Sequence, residues 1–170
     1  MRAKTVLISG LLLGTPAALT AAQAQAPKLV STFSDWSSYM HEGADAKICF
    51  AVSQPKNQEP KNVTRDPAYF YISAWPKDGV RTEISVRIGY PFKKGSEATV
   101  TVGSAAFKLF TQNDRAFVGD VAQEVKLIEA MKNAQTMQVQ GTSERGTATT
   151  DSYSLAGLAQ ALQAAAAQCQ

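Results

Sequence analysis

Hydrophobic and polar residues alternate with a period of two along much of the chain. In residues 47–54, Ile48, Phe50 and Val52 alternate with smaller or polar neighbours. This period places successive side chains on opposite faces of a β-strand. Turn-forming residues such as Gly79 and Gly103 separate the alternating segments. The pattern predicts about eight short strands, distributed over residues 29–54, 69–89, 99–118 and 136–153.

The period changes after Asp120, where a helix is predicted. Asp120 is a suitable N-cap residue, and Val121, Val125, Ile128 and Met131 or Lys132 follow at three- to four-residue spacing. This spacing places the apolar side chains on one helical face, which we expect to pack against the sheet. The helix should end near Asn133.

A second helix is predicted at the C-terminus. Ser154 is a suitable N-cap, and Leu155, Leu158 and Leu162 mark one helical face. The segment continues, rich in alanine and glutamine, as far as Cys169. Alanine forms helix at low entropic cost and allows close approach to another element. We therefore expect this helix to dock against the strands.

These elements together predict a mainly β protein, an antiparallel β-sandwich with one short internal helix and a C-terminal helix. The β-α-β-α alternation of parallel nucleotide-binding sheets is absent from the sequence. Residues 55–67 contain three prolines and several charges, and are predicted to form a long exposed loop.

The N-terminus has the pattern of a cleaved signal peptide. Arg2 and Lys4 precede an apolar run, and Ala22-Gln23-Ala24 supplies a small-x-small cleavage site. Since the run is shorter than the roughly twenty residues that span a membrane, a retained anchor is the less favoured alternative. We predict cleavage after residue 24 and a single domain over residues 25–170, without a membrane span, in the periplasm or secreted.

Removal of the signal peptide changes the charge balance. Without Arg2 and Lys4, 15 basic residues face 14 acidic ones, so the mature net charge is +1 rather than +3. The remaining basic residues lie singly or in pairs such as Lys93-Lys94, and form no basic stripe. This distribution argues against nucleic acid as a partner.

Cys49 and Cys169 are the only two cysteines. An even count in an exported protein favours a disulfide, which here would join residues 120 positions apart. Intermolecular pairing or free thiols are the alternatives. His41 is the sole histidine, and no zinc-like ligand spacing surrounds it, so neither a metal nor a cofactor is expected.

The sequence gives no positive support for catalysis. A hydrolase triad would have to use His41, which is predicted to lie in a polar turn typical of a solvated surface histidine. The acidic pairs that could serve a glycosidase, Glu42 with Asp45 and Asp114 with Asp120, fall at turn or cap positions where carboxylates are common. We therefore expect a protein that is not an enzyme.

Aromatic residues offer a different possibility. Trp36, Tyr69, Tyr71 and Trp75 could line a cleft for a small periplasmic ligand, although strands bury such side chains in their core by default.

Three motifs, in order along the mature chain, resemble the invasion-associated locus B family of bacterial exported proteins. They are Phe33-Ser34-Asp35-Trp36, then Ile48-Cys49-Phe50-Ala51, and finally Tyr153-Ser154-Leu155-Ala156-Gly157-Leu158 in a segment that ends at Cys169. The resemblance implies a β-rich periplasmic or surface protein, linked in some bacteria to host-cell entry and without an established enzymatic activity.

The chain departs from the family pattern in its cysteines. Better-known members tend to carry a cysteine where this chain has Met40, and a further pair near residues 117–121, where it has none. The usual disulfide arrangement therefore does not carry over, and only the long Cys49–Cys169 link is left.

The resulting functional expectation is an exported, non-enzymatic protein that acts through contacts with an unknown protein partner, in the envelope or at a host surface. A small-molecule-binding domain and an envelope-maintenance factor are the alternatives. Residues 55–67 and the hairpin tips are the candidate contact regions, because loops on a rigid scaffold commonly carry binding residues.

Overall fold

A computed structural model describes residues 26–43 and 46–170. The predicted signal peptide, residues 1–24, lies outside this range and stays a prediction. The described residues form eleven strands, two α-helices and one short 3-10 turn. The strands are β1 (Lys28–Phe33), β2 (Trp36–Glu42), β3 (Lys47–Ser53), β4 (Asn57–Glu59), β5 (Tyr69–Trp75), β6 (Val80–Arg87), β7 (Glu97–Val102), β8 (Ala105–Gln112), β9 (Arg115–Phe117), β10 (Thr136–Thr142) and β11 (Ala148–Ser154). The helices are α1 (Val121–Lys132) and α2 (Leu158–Gln168), and the 3-10 turn is Pro76–Asp78.

All eleven strands belong to one antiparallel sheet, in the order β1-β2-β3-β5-β6-β9-β8-β7-β10-β11-β4. The predicted mainly β, antiparallel fold class is therefore confirmed. The sheet folds over itself, so that Phe70 of β5 and Tyr153 of β11 meet with ring centroids 5.9 Å apart. Trp36 of β2 also reaches the far end of the sheet, where its Nε1 donates to the Ser154 carbonyl at 3.0 Å. This folded sheet is compatible with the predicted sandwich.

Helix α2 covers the inner face of β1, β2 and β3. On this face Ser38 and Ala51 are fully buried, and Ala161 and Ala165 of the helix are buried as well. The Ser38 hydroxyl donates to the Ala161 carbonyl at 2.6 Å. Small side chains on both elements allow the helix to approach the sheet closely, as its alanine-rich sequence predicts.

The predicted start of the C-terminal helix is wrong. The helix begins at Leu158 rather than directly after Ser154, and its N-cap is Gly157, which has a φ of 90°. A Cβ at this position would lie 1.8 Å from the Phe33 carbonyl oxygen. Only glycine combines this left-handed conformation with so close a contact, so the chain must turn here before the helix starts.

Helix α1 begins at the predicted cap but buries only the second half of the predicted stripe, where Met131 is fully buried and Ile128 packs against the core. The Asp120 carboxylate accepts hydrogen bonds from two backbone N–H groups of the first turn, as expected for a cap. The buried residues are Glu124, Leu127 and Met131. Val121 and Val125 are 73% and 55% exposed, so the predicted apolar stripe is wrong for both.

A polar contact to the sheet accompanies this orientation of α1. The Glu124 carboxylate accepts a hydrogen bond from the Ile84 backbone N–H at 2.8 Å, at a point where β6 extends beyond β9. Burial raises the pKa of Glu124, and the bond from Ile84 opposes that rise. A periodicity rule that counts only apolar residues would not place a carboxylate on the buried face.

The predicted loop 55–67 is more ordered than its composition indicates. It contains β4, which pairs with β11 at the edge of the sheet. It also contains Arg65, whose side chain is only 6% exposed.

A disulfide joins Cys49 of β3 to Cys169 at the end of α2, with the two Cα atoms 5.9 Å apart. Cys49 is buried on the inner face of the sheet, beneath the helix that the bond attaches. The described residues include no free cysteine. The bond closes a loop of 120 residues and fixes the C-terminal helix to the N-terminal strands.

We predict that the Cys49→Ala/Cys169→Ala variant is less stable than the wild type. Loss of the cross-link should lower the free energy of unfolding by up to about 5 kcal/mol, because the unfolded chain regains its loop entropy. Urea denaturation monitored by circular dichroism measures this loss. Dithiothreitol should destabilise the wild type and leave the variant unchanged, and equal effects on both proteins would contradict the prediction.

Candidate functional site: an aromatic face and a polar cleft

The outward side of the sheet carries a group of aromatic residues because β3 turns its small side chains inward. Cys49, Ala51 and Ser53 are buried, which leaves Phe50 and Val52 half-buried on the opposite face. The strand pairing places Tyr39 of β2 directly opposite Phe50. The sequence pattern identified the two faces of β3, but large apolar side chains alone would have indicated the wrong face as the inner one.

Four aromatic side chains on adjacent strands form what we call the aromatic face: Tyr39, Phe50, Tyr69 and Tyr71. The rings of Tyr39 and Phe50 stack, with centroids 5.3 Å apart. Phe50 meets Tyr71 edge to face at 6.0 Å, and Tyr71 contacts Tyr69 at 5.8 Å. All four are half-buried, so each ring offers part of its surface to a binding partner.

The aromatic face includes a groove of about 410 Å³. Tyr39 and Tyr69 line it together with Val52, and the Asp35–Lys56 ion pair lies at its edge. The Lys56 ammonium, 2.5 Å from the carboxylate, holds the pKa of Asp35 below its ordinary value. The groove therefore combines aromatic surface with an ion pair whose two charges cancel.

A second concave region, which we call the polar cleft, has a volume of about 680 Å³. Residues 62–66 form one wall, and Tyr90, Glu144 and Thr149 contribute to the others. Gly89 holds the first wall in place, since a Cβ there would lie 2.0 Å from the Asp66 carbonyl oxygen. The Asp66 N–H donates to the Gly89 carbonyl at 3.0 Å.

A buried ion pair supports the polar cleft. The Arg65 guanidinium donates to both carboxylate oxygens of Asp151, which is fully buried. It also donates to the Ile88 carbonyl at 3.2 Å and lies 5.7 Å from the centre of the Tyr90 ring. The Tyr90 hydroxyl is 2.5 Å from that of Thr149. These contacts use the donors of Arg65 inside the fold, so its main role here is structural.

Desolvation determines the titration of Asp151. Burial raises the pKa of Asp151, and the hydrogen bonds and positive charge of Arg65 oppose that rise. A buried carboxylate of this kind depends on its bidentate partner to remain ionised. Sequence reasoning missed this pair, because Arg65 lies in a segment of loop-like composition, 86 residues away from Asp151.

The predicted aromatic cleft does not assemble. Trp36 is fully buried and packs against Phe70 in the core, whereas Tyr69 and Tyr71 belong to the outward aromatic face. Trp75 ends β5, next to the 3-10 turn. The four residues therefore do not form one pocket.

The residues with side chains suited to catalysis are also dispersed. His41 lies in β2 opposite Ile48 rather than in a turn, and it does not line the polar cleft. Asp114 binds Arg87, and Asp120 caps α1. Asp45 lies outside the described residues. Among residues 26–43 and 46–170 there is no cluster of three histidine, cysteine or acidic side chains that could hold a metal ion.

Comparison with known proteins identifies the family. The family model described as invasion associated locus B (IalB) protein matches residues 36–166. The chain belongs to the IalB family. No curated protein and no solved structure matches the chain. The IalB match begins at Trp36 and includes the aromatic face, the polar cleft and most of α2, so both surfaces lie within the family's shared region. Across the part of the chain that the structure describes, neither helix is long and apolar enough to cross a membrane.

We predict that Arg65→Met lowers the free energy of unfolding by about 3–5 kcal/mol, because it leaves the Asp151 carboxylate buried without its partner. Urea denaturation at pH 7 measures this change. The double variant Arg65→Met/Asp151→Leu removes both charges and should recover most of the lost stability. If the double variant lost as much stability as Arg65→Met and Asp151→Leu lose in sum, the two residues would not act as a pair.

Proposed function

We propose that this IalB family member is an exported, non-enzymatic protein, periplasmic or secreted, that acts by binding a protein partner through its aromatic face. The observation that carries the proposal is the outward set of four contacting rings on a rigid sheet. Membership of the invasion-associated family supports a role at the envelope or at a host surface.

The physical properties of the aromatic face suit protein binding. Tyrosine and phenylalanine supply large contact areas at a low cost in side-chain entropy, and they are enriched at protein interfaces. The rings already contact one another, so binding would order few additional side chains. The strands beneath them are fixed by α2 and by the disulfide, which makes the surface preorganised.

The tyrosines also retain hydrogen-bonding capacity. Burial raises the pKa of Tyr71, while the nearby Arg115 guanidinium opposes the rise. The hydroxyl therefore stays protonated at neutral pH and can both donate and accept a hydrogen bond. A partner would meet an apolar surface with polar groups at its border, the usual composition of a protein-binding patch.

Site-specific photo-crosslinking tests this proposal. We predict that a benzoyl-phenylalanine placed at residue 50 forms a covalent adduct with one partner protein in living cells, and that the same probe at residue 125 does not. Val125 is a suitable control, because it is apolar and 55% exposed but lies on α1, outside the aromatic face. Equal amounts of adduct from the two positions would contradict specific binding through the aromatic face.

Complementation of a deletion strain tests the biological role. A deletion strain should lose host-cell entry or envelope integrity, and a Val125→Ser copy should restore it. A Phe50→Ser/Tyr71→Ser copy should fail to restore it while the protein keeps its circular dichroism spectrum. If the deletion changed neither property, the proposed role would lose its main support.

The polar cleft favours a second candidate function, the binding of a small periplasmic molecule. Its volume lies within the range of ligand pockets, and hydroxyl groups such as Thr149 and Tyr90 line it. The Arg65–Asp151 pair gives it a rigid base.

A thermal-shift screen with envelope metabolites tests this second function. A ligand at 100 times its dissociation constant should stabilise the protein by about 2.7 kcal/mol. The variant Thr64→Trp, which places an indole in the cleft, should abolish the shift, whereas Val125→Ser should retain it. The absence of any stabilising metabolite would argue against this function.

A further inference from the structure

Two arginines lie directly opposite each other on the outward side of the sheet. Arg87 of β6 pairs in register with Arg115 of β9, and Tyr69 of the aromatic face is the partner of Arg87 on the other side. We call Arg87 and Arg115 the arginine pair. Like charges at directly opposite positions on adjacent strands repel, which disfavours the pairing of the strands. The packing of the core does not account for this arrangement, because both side chains point away from it.

Only one of the two positive charges is compensated. The Arg87 Nε donates to Asp114 at 2.9 Å, and Asp66 lies 3.9 Å from its Nη2. Asp114 also raises the pKa of Arg87. Arg115 is exposed and makes no ion pair with any residue that the structure describes. A positive charge without a partner therefore borders the aromatic face.

A row of side chains leads from the aromatic face across β6 and β9 to β8. In the neighbouring row of the sheet, Tyr71 lies opposite Ser85, Ser85 opposite Phe117, and Phe117 opposite Phe110. Ser85 is only 3% exposed, consistent with cover from the flanking rings. Phe117 and Phe110 stack with centroids 5.4 Å apart, and Phe110 is 51% exposed. This row of mainly aromatic side chains lies two residues, or about 7 Å, from the arginine pair along the strands.

We propose that the aromatic face and the arginine pair together bind an extended acidic segment of a protein partner. Apolar or aromatic side chains of that segment lie along the row from Tyr71 to Phe110, and a carboxylate binds Arg115. A guanidinium and a carboxylate form two parallel hydrogen bonds, which supplies both strength and orientation. The inference rests on the proposed protein-binding function and specifies the chemistry of the partner.

The charge distribution favours a protein segment over a lipid surface. Electrostatic attachment to anionic membranes uses clusters of four to eight lysines or arginines. The arginine pair offers two, and Asp114 and Asp66 lie against one of them. On the outward face of β6 the row lies between Arg87 on one side and Glu83 on the other, so the positive charge is confined to the side of the arginine pair. A positive charge on one side of the row matches a peptide with one or two well-placed carboxylates.

Selection from a random dodecapeptide library on the immobilised mature protein tests the inference. The selected peptides should be enriched in aspartate or glutamate together with aromatic residues. In fluorescence anisotropy their affinity should fall at least tenfold for Arg115→Glu, and should not change for Lys126→Glu, a matched reversal on an exposed residue of α1. Arg115→Gln should give an intermediate loss, which guards against an effect of the introduced carboxylate on folding.

The outcomes separate this inference from the function on which it rests. Peptides without acidic enrichment that lose affinity for Phe50→Ser but not for Arg115→Glu would overturn the acidic partner and leave the aromatic face as a binding surface. Peptides that are insensitive to both substitutions, or no selected peptide at all, would count against both. Binding to phosphatidylglycerol vesicles that depends on Arg115, without peptide binding, would overturn the choice of a protein partner.

Discussion

Helix α2 docks on the inner face of β1–β3, and this contact sets the orientation of the strands' side chains. The helix is rich in alanine, and the strand face beneath it presents small side chains such as Ser38 and Ala51. Elements with small side chains can approach closely, and the Ser38–Ala161 hydrogen bond and the Cys49–Cys169 disulfide hold them in register. Gly157 makes the approach possible at the start of the helix, where a Cβ would collide with Phe33.

This packing decides which side chains face outward. Because successive residues of a strand alternate between the two faces, a buried Cys49–Ala51–Ser53 set requires Phe50 and Val52 to point away from the helix. The aromatic face is thus a direct consequence of the small side chains on the inner face. Its rings remain half-buried by one another, which limits the cost of exposing them to water.

The two concave regions differ in what holds them in shape. The rings that line the groove on the aromatic face belong to regular strands, where backbone pairing fixes their positions. The polar cleft has one wall of irregular chain, and that wall is held by the buried Arg65–Asp151 pair and by the close contact at Gly89. A buried ion pair is a costly support, because both ions must leave water, and it depends on complete hydrogen bonding. The polar cleft is therefore more sensitive to single substitutions than the aromatic face.

Local sequence patterns were sufficient to predict the mainly β antiparallel class, the hairpins at Gly79 and Gly103, the cap at Asp120 and the family resemblance. Each depends on neighbours in the chain: an alternation, a turn residue or a short motif. Packing in the folded chain was needed to establish which face of β3 is inside, why Glu124 is buried while Val121 is exposed, and that Arg65 pairs with Asp151. These outcomes depend on what a distant segment places against each residue, because burial and charge pairing are properties of the whole fold rather than of local sequence.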